Sequence, residues 1–419
     1  MNIKFRLTLM SFFQFFVWGA WLLSIGTYCV NAKGWTIQEF GAIFSTLAIA
    51  SLVMPALTGI IADRWVNAER LYGILHILYG AVLFYVPEVD DPNTLYYVIL
   101  AAMACYMPTI SLSNSIAYTI LKRQNYDVVK VFPPIRVFGT IGFIAAMWTT
   151  NLTASNDNSN QFLIAAVAAI ALGIYSFTLP QCPPPRSISK DAGIIEQLGL
   201  KAFKLFANYK MALFFIFSLM LGGALQLTNM YGDQFLSGFK EVAEYKDSFV
   251  VKFSLIILSV SQMSETLFIL TIPFFLKRFG IKKVMLFSML AWVLRFGLFA
   301  YGDPSLTGTV LIILSCIVYG MAFDFFNISG SLFVETTTDS GIRSSAQGLF
   351  MMMTNGVGAW LGSMISSWVI GEYFTLPGNK SDWHGIWLTF AAYALVVAIL
   401  FTIFFKHKHD PNKLATVQH

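Results

Sequence analysis

Long apolar runs recur along the whole chain, each about long enough for a helix to cross a lipid bilayer. A membrane-spanning helix needs roughly 20 consecutive apolar residues. Lipid offers no partners to exposed backbone groups, so each run is expected to be helical. The sequence predicts an all-α membrane protein with twelve transmembrane helices, at 7–30, 38–62, 71–87, 95–121, 133–152, 161–180, 211–236, 249–276, 283–301, 306–334, 344–371 and 384–405.

The composition agrees with a chain that lies within lipid. Of its 419 residues, 57% are hydrophobic and 12% are charged, whereas a soluble domain carries about 25% charged residues. The basic residues sit in short loops and form no patch with interleaved aromatics, so the net charge of +5 does not indicate nucleic-acid binding. Cys29, Cys105, Cys182 and Cys316 are far apart, which predicts free thiols and no metal site.

The positions of the basic residues predict the orientation in the membrane. An even number of spans places both termini on one side. The segments on that side contain 20 of the 27 lysines and arginines, and those on the other side contain 5. Because cytoplasmic loops carry the excess of positive charge, we expect both termini in the cytoplasm.

The longest polar interruption divides the chain into two halves. It opens with three prolines, which end the preceding helix, and continues with basic residues. We therefore predict an N-terminal six-helix bundle over 1–180, a cytoplasmic linker over 181–210, and a C-terminal six-helix bundle with a short cytoplasmic tail over 211–419.

A short motif between the second and third spans supports a transporter fold. The run from Gly59 to Arg64 resembles the GxxxDR loop of the major facilitator superfamily. The resemblance implies two six-helix halves around a central cavity, which rock about a central site. Gly59 is expected to permit close helix packing, and Asp63 and Arg64 are candidate gating residues at the cytoplasmic side.

Glu265 is the most informative polar residue inside a predicted span. An ionisable group deep in a membrane is costly and usually functional. A carboxylate there persists only if it is paired, hydrated or protonated, so Glu265 is a candidate proton carrier. Gln262 lies three residues earlier and shares its helix face. The alternative is a structural interhelical hydrogen bond.

Asp324 is a second acid within a span. It begins a polar stripe with Asn327 and Ser331, and Phe323 and Phe325 flank it. Flat apolar surfaces beside hydrogen-bonding groups suit a planar heterocycle or a sugar ring. The alternative is that the phenylalanines simply face lipid.

The seventh span adds neutral polar groups. Gln226 and Asn229 are three residues apart on one helix face. Their amides both donate and accept hydrogen bonds, which favours a neutral ligand with mixed edges. Interhelical packing is the competing interpretation for each of them.

Two arginines lie at or within spans. Arg136, Thr140 and Phe143 follow helical spacing in the fifth span and present a cation, a hydroxyl and a ring on one face. Arg136 either lines a cavity or reaches lipid headgroups. Arg295, near the outer part of the ninth span, is expected to reach the membrane surface or to pair.

Motifs of enzymes are missing from the sequence. There is no GxSxG, P-loop or HExxH pattern. We therefore predict no enzymatic activity, no cofactor and no direct use of ATP.

Several long strings of sequence resemble the nucleoside–proton symporter family. They are Phe132–Phe143, Gly222–Gly232, Ser261–Phe274, Gly320–Glu335, Ser345–Gly348 and Met352–Gly356. The resemblance covers nearly the whole chain. It implies proton-coupled uptake of purine and pyrimidine nucleosides, such as uridine and adenosine, across a bacterial inner membrane. We expect a monomer, and the alternative function is a proton-coupled sugar or polyol carrier of the same fold.

The same resemblance implies a set of binding residues. Glu265 and Asp324 would also couple the proton. The implied substrate-binding residues are Arg136, Thr140, Phe143, Gln226, Asn229, Gln262, Glu265, Phe323 and Asp324.

Overall fold

The computed structural model describes residues 2–184, 200–339, 342–378 and 380–407, which are mostly helical. The predictions for linker residues 185–199 and for the tail from 408 onward concern parts of the chain outside the described residues. The chain divides into two compact units, Met1–Asp191 and Ala192–His419.

Six α-helices build the described part of the first unit, residues 2–184. A short π-helical run, Thr27–Ala32, follows the first of them. The helices are α1 (Ile3–Gly19), α2 (Ile37–Arg64), α3 (Ala68–Tyr85), α4 (Pro92–Arg123), α5 (Val128–Leu152) and α6 (Asn160–Ser176).

Side-chain caps and close backbone packing hold this unit together. Thr36 caps α2 in a reciprocal arrangement with Glu39, which satisfies backbone donors at the helix start. Helix α1 packs against α5, α2 against α4, and α3 against α4 and α6. Gly142 of α5 lies against the backbone of Phe12 in α1, where a side chain at position 142 would collide with it.

Seven longer helices build the described part of the second unit. Two strands of two residues each, β1 (Thr375–Leu376) and β2 (Lys380–Ser381), pair in antiparallel orientation. The helices are α7 (Tyr209–Gly238), α8 (Ser254–Ile269), α9 (Ile272–Ala300), α10 (Leu306–Thr337), α11 (Arg343–Met351), α12 (Ala359–Tyr373) and α13 (Trp383–Phe404).

Two irregular segments occur among the described helices of this unit. Helix α9 is broken at Gly280, whose φ of 76° and ψ of 168° are not helical. Glycine adopts such positive φ values without a Cβ clash. A π-helical run, Met352–Gly358, joins α11 to α12. The break at Gly280 falls in the loop predicted between the eighth and ninth spans.

Eight described helices are long and apolar enough to cross a membrane. The other four predicted spans correspond to shorter or interrupted segments. The first ends as a regular helix at Gly19, the sixth has 17 residues, the eighth contains α8, and the eleventh contains the π-helical run.

Glycines allow close packing of α7 against α12 and the π-helical run. Side chains at Gly222, Gly358 or Gly362 would collide with the backbone of the facing segment. Small residues allow such close contact between helices in membrane bundles. Helix α9 packs mainly against α10 and α13, and α8 packs against α10.

Candidate functional site

In the first unit, Arg136, Thr140 and Phe143 all lie half-buried on α5. The Arg136 guanidinium lies 4.0 Å from the centre of the Phe15 ring on α1. A side chain at Gly139 would collide with both groups, so this glycine makes the contact possible. Arg136 therefore packs on an aromatic ring within its unit, which holds the cation in place.

Phe143 belongs to the same face of α5 and also contacts α1. Its ring meets Trp18 edge to face, with the centroids 6.3 Å apart. Helices α1 and α5 thus position the cation and the ring that the sequence singles out. Thr140 lies on the same helix between Arg136 and Phe143, one turn after Arg136.

In the second unit, the two predicted coupling acids come together. Asp324 on α10 and Glu265 on α8 are near enough for their charges to interact. The Asp324 side chain is 5% exposed, and its Oδ2 atom has no hydrogen-bond partner within the described chain. A buried oxygen without a partner is costly unless water, a proton or a ligand satisfies it.

Tyr319 is a member of this cluster that the sequence reasoning missed. Its ring lies parallel to that of Phe323, with 5.9 Å between centroids and 7° between planes. It also interacts electrostatically with Glu265 and Asp324. The signal was available, because positions 319 and 323 are one helical turn apart and Asp324 follows directly.

Arg295 also lies against Tyr319, and it is 2% exposed. Its guanidinium carbon is 4.6 Å from the centre of the Tyr319 ring. The expectation that Arg295 reaches the membrane surface is therefore wrong, because neighbouring helices enclose the side chain. Its contacts are hydrogen bonds to Ser315 and Ser261 and aromatic rings.

The predicted neutral polar residues lie on α7 and α8. Gln226 and Asn229 are half-buried on one face of α7. Gln262 lies one turn before Glu265, and its Oε1 atom is buried with no hydrogen-bond partner in the described segments. The buried side-chain oxygens without a partner in the described part of the second unit include those of Gln262 and Asp324. A hydrogen-bond donor on a bound molecule can satisfy either of them, and Asp324 can also take a proton.

A small pocket opens beside this cluster within the second unit. Of the predicted binding residues, Phe323 lines it, together with Asn327 from the polar stripe of α10. The lining residues are Leu221, Gly222, Leu225, Trp292, Ala322, Phe323, Phe326, Asn327, Thr354 and Asn355. Its wall combines aromatic faces with amide groups, as ligand sites usually do.

The C-terminal end of the polar stripe on α10 packs against a neighbouring helix. Ser331 donates to the Gln347 side chain at 3.1 Å, and Gln347 donates to the Ser331 carbonyl at 2.7 Å. The Asn327 amide donates to the carbonyl of Phe323 at 3.3 Å. Ser331 therefore joins α10 to α11, while Asn327 keeps one face toward the pocket.

The predicted gating residues lie exposed at the end of α2. Across the described ranges, Asp63 and Arg64 form no ion pair, either with each other or with other residues. A side chain at Gly59 would contact nothing within 4 Å. The expectation that Gly59 permits close packing is therefore not met within this unit.

Metal coordination has no support in the described part of the chain. A search there finds no group of three or more His, Cys, Asp or Glu side chains placed to hold a metal ion.

The sequence is similar to known membrane permeases over nearly its whole length. A family model described as "Nucleoside H+ symporter" matches residues 1–410. The chain is 53% identical to the xanthosine permease of Escherichia coli over 99% of this chain and 98% of that protein. It is 48% identical to the nucleoside permease NupG of the same bacterium, over the full length of both.

Solved structures of transporters are also similar to this chain. The crystal structure of NupG has a TM-score of 0.92 to this chain and covers 97% of this chain and 100% of its own. A mutant of the peptide transporter POT has a TM-score of 0.71 at 13% identity, covers 95% of this chain and 93% of its own, and shows likeness of fold alone.

These relatives are permeases and transporters, so the chain is a multi-pass membrane transporter and not an enzyme. Its fold is that of the major facilitator superfamily. The chain belongs to the nucleoside H+ symporter family.

Proposed function

We propose that this transporter takes up purine and pyrimidine nucleosides together with protons, by alternating access, and that Glu265 and Asp324 carry the proton. The observation that carries the proposal is the pair of acids, buried Asp324 and half-buried Glu265, beside the parallel rings of Tyr319 and Phe323. An acid pair can exchange protons, and an aromatic face can receive a planar base.

The polar residues suit the other part of a nucleoside. Ribose hydroxyls and base edges both donate and accept hydrogen bonds, and the amides of Gln226, Asn229 and Gln262 can do the same. Arg136, Thr140 and Phe143 would contribute a cation, a hydroxyl and a second ring from the first unit. Aromatic faces suit both a planar base and a sugar ring. The match to the nucleoside H+ symporter family is what favours a nucleoside over the sugar or polyol alternative.

Proton coupling gives enough energy for accumulation. Moving one charge through a membrane potential of 100 mV is worth ~2.3 kcal/mol. That corresponds to roughly fifty-fold accumulation, since about 1.4 kcal/mol is a factor of ten. One proton per nucleoside therefore suffices for concentrative uptake before any pH gradient is added.

We place the protein as a monomer in a bacterial inner membrane, with both termini in the cytoplasm. The bundles 1–180 and 211–419 would alternate about the linker 181–210. Asp63 and Arg64 would act at the cytoplasmic gate in a conformation where they gain partners.

Uptake of radiolabelled uridine into cells lacking other nucleoside carriers tests the proposal. We expect concentrative uptake that a protonophore abolishes, with competition by adenosine and none by free ribose. Uptake indifferent to the protonophore would exclude proton coupling. Competition by ribose but not by adenosine would favour the sugar carrier.

Variants of the two acids test their roles. We expect Glu265→Gln and Asp324→Asn to lose at least tenfold in concentrative uptake, because neither amide can carry a proton at this place. Transport of uridine down its own concentration gradient does not need proton coupling. A variant that retains this transport but loses concentrative uptake is therefore defective in coupling and not in binding. An acid whose amide variant still concentrates uridine has no part in the proton path.

A further inference from the structure

Arg295 is a buried cation that the proposed transport mechanism does not use. Its side chain is 2% exposed on α9, and a guanidinium remains charged at any physiological pH. Among the residues that the structure describes, no carboxylate forms an ion pair with it. An arginine buried in a membrane bundle is costly, so its position calls for a role.

Hydrogen bonds fix the guanidinium between two helices that bear the acids. Its Nη1 atom donates to the Ser315 carbonyl of α10 at 2.7 Å and to the Ser261 hydroxyl of α8 at 3.4 Å. Ser315 donates back to the Arg295 carbonyl at 2.9 Å. Ser261 is one turn before Glu265, so the cation is anchored to the helix of the first acid.

The same guanidinium lies over the ring that links the acids to the aromatic pair. The Tyr319 ring is 4.6 Å from the guanidinium, meets Trp292 edge to face at 5.9 Å, and stacks on Phe323. Tyr319 interacts electrostatically with Arg295, Glu265 and Asp324. Arg295, Phe323 and the two acids thus have Tyr319 as a common neighbour.

We propose that Arg295 is a positioning residue for nucleoside transport. It orients Tyr319, and through it the Phe323 ring, and its fixed positive charge balances the Glu265 and Asp324 carboxylates behind the aromatic pair. The inference rests on the proposed function, since it concerns the same acids and the same aromatic surface.

The titratable groups around Arg295 are few. Glu265 faces the cluster from α8, and Cys316, Tyr319 and Asp324 face it from α10. Helix α13 also packs against α9, and its titratable residues His384 and Tyr393 bond to the carbonyls of Ala300 and Met220 instead. Glu265 and Asp324 are therefore the groups expected to respond to Arg295.

Uridine uptake by Arg295→Gln and Arg295→Lys, measured against concentration and external pH, tests the inference. Without the positive charge, the neighbouring acids hold their protons to higher pH. We expect Arg295→Gln to raise KM about tenfold and to move the pH of half-maximal uptake upward by about one unit. Arg295→Lys keeps the charge, so its pH profile should match the unaltered protein while its KM rises.

The matched control is Arg278→Gln. Arg278 is an exposed arginine of the same unit, and its guanidinium also lies over a ring, that of Phe279. We expect its KM and pH profile to be unchanged. If Arg295→Gln does not fold, Arg295→Lys provides the test. An upward shift of its pH profile by about one unit, although the charge is retained, overturns the proposal.

The outcomes separate this inference from the proposed function. Proton-driven uptake by the unaltered protein, with unchanged KM and pH profile in Arg295→Gln, overturns the inference alone. A lower maximal rate with unchanged KM and pH profile shows a merely structural arginine and also overturns it. Absence of proton-driven uptake in the unaltered protein overturns both.

Discussion

Buried acids in this protein differ in how completely their oxygens are satisfied. Glu69, at the start of α3, is 2% exposed and accepts hydrogen bonds from the Cys182 backbone at 2.7 Å and the Asn67 side chain at 3.2 Å. Asp324 is similarly buried but has an oxygen with no hydrogen-bond partner in the described segments. The satisfied acid anchors the chain after α6, whereas the unsatisfied acid can take a proton or a ligand.

The Glu69 contact makes the reactivity of Cys182 a test of this arrangement. Burial first, and then the nearby Glu69 carboxylate, raises the pKa of the Cys182 thiol to about 12, although Arg123 opposes the shift. Only the thiolate reacts with maleimides. We expect labelling of Cys182 at pH 8 to be at least a hundredfold slower than for an exposed cysteine, and to rise about tenfold per pH unit up to pH 10.

Glu69→Gln should speed this labelling at pH 8, because it removes the negative charge that disfavours the thiolate. Cys182→Ser gives the background from the other three cysteines. Labelling that reaches a plateau near pH 9 in the unaltered protein would contradict the account.

At the scale of elements, glycines decide which helices can approach each other. Gly222 of α7 lies directly against the backbone of Thr354 in the π-helical run, and Gly362 of α12 lies against Gly223. Without Cβ atoms these backbones meet closely, as in other membrane bundles. The contact also places Leu221 and Leu225 of α7 opposite Thr354 and its neighbours in the pocket wall.

Gly222→Ala tests this packing. The new methyl group would meet backbone atoms that cannot move independently, so we expect a loss of about 1–3 kcal/mol in stability. Thermal unfolding of the purified protein in detergent measures it. Gly348→Ala is the matched control, since a Cβ at Gly348 would contact nothing within 4 Å. Equal unfolding temperatures of the two variants would argue against the close contact.

At the scale of the whole molecule, charge distribution predicts orientation. With the twelve predicted spans, 20 of the 27 lysines and arginines would lie on the side of the termini. Positively charged segments are retained in the cytoplasm during insertion. An orientation with both termini in the cytoplasm would place the loop 237–248 on the outer face.

Reporter fusions in bacteria test that orientation. We expect a fluorescent protein fused after His419 to be fluorescent and alkaline phosphatase at the same place to be inactive. Phosphatase inserted in the loop 237–248 should be active. The reverse pattern at either place would show that the predicted orientation or the span count is wrong.

The sequence by itself determined the class of fold and the polar positions of the candidate site. Length and hydrophobicity of a run are local properties, so the twelve spans could be located without knowing what packs on them. The cost of burying charge likewise singles out Glu265 and Asp324 in any fold that spans lipid. The long strings shared with a known family then indicated the ligand class.

Only the tertiary structure decided how those residues are arranged within each unit. The stacking of Tyr319 on Phe323, the enclosure of Arg295 and the open space around Gly59 depend on neighbouring helices. The π-helical run inside the predicted eleventh span is likewise seen only in the structure. A hydropathy pattern records which residues avoid water, whereas contacts between helices are set by side chains far apart in sequence.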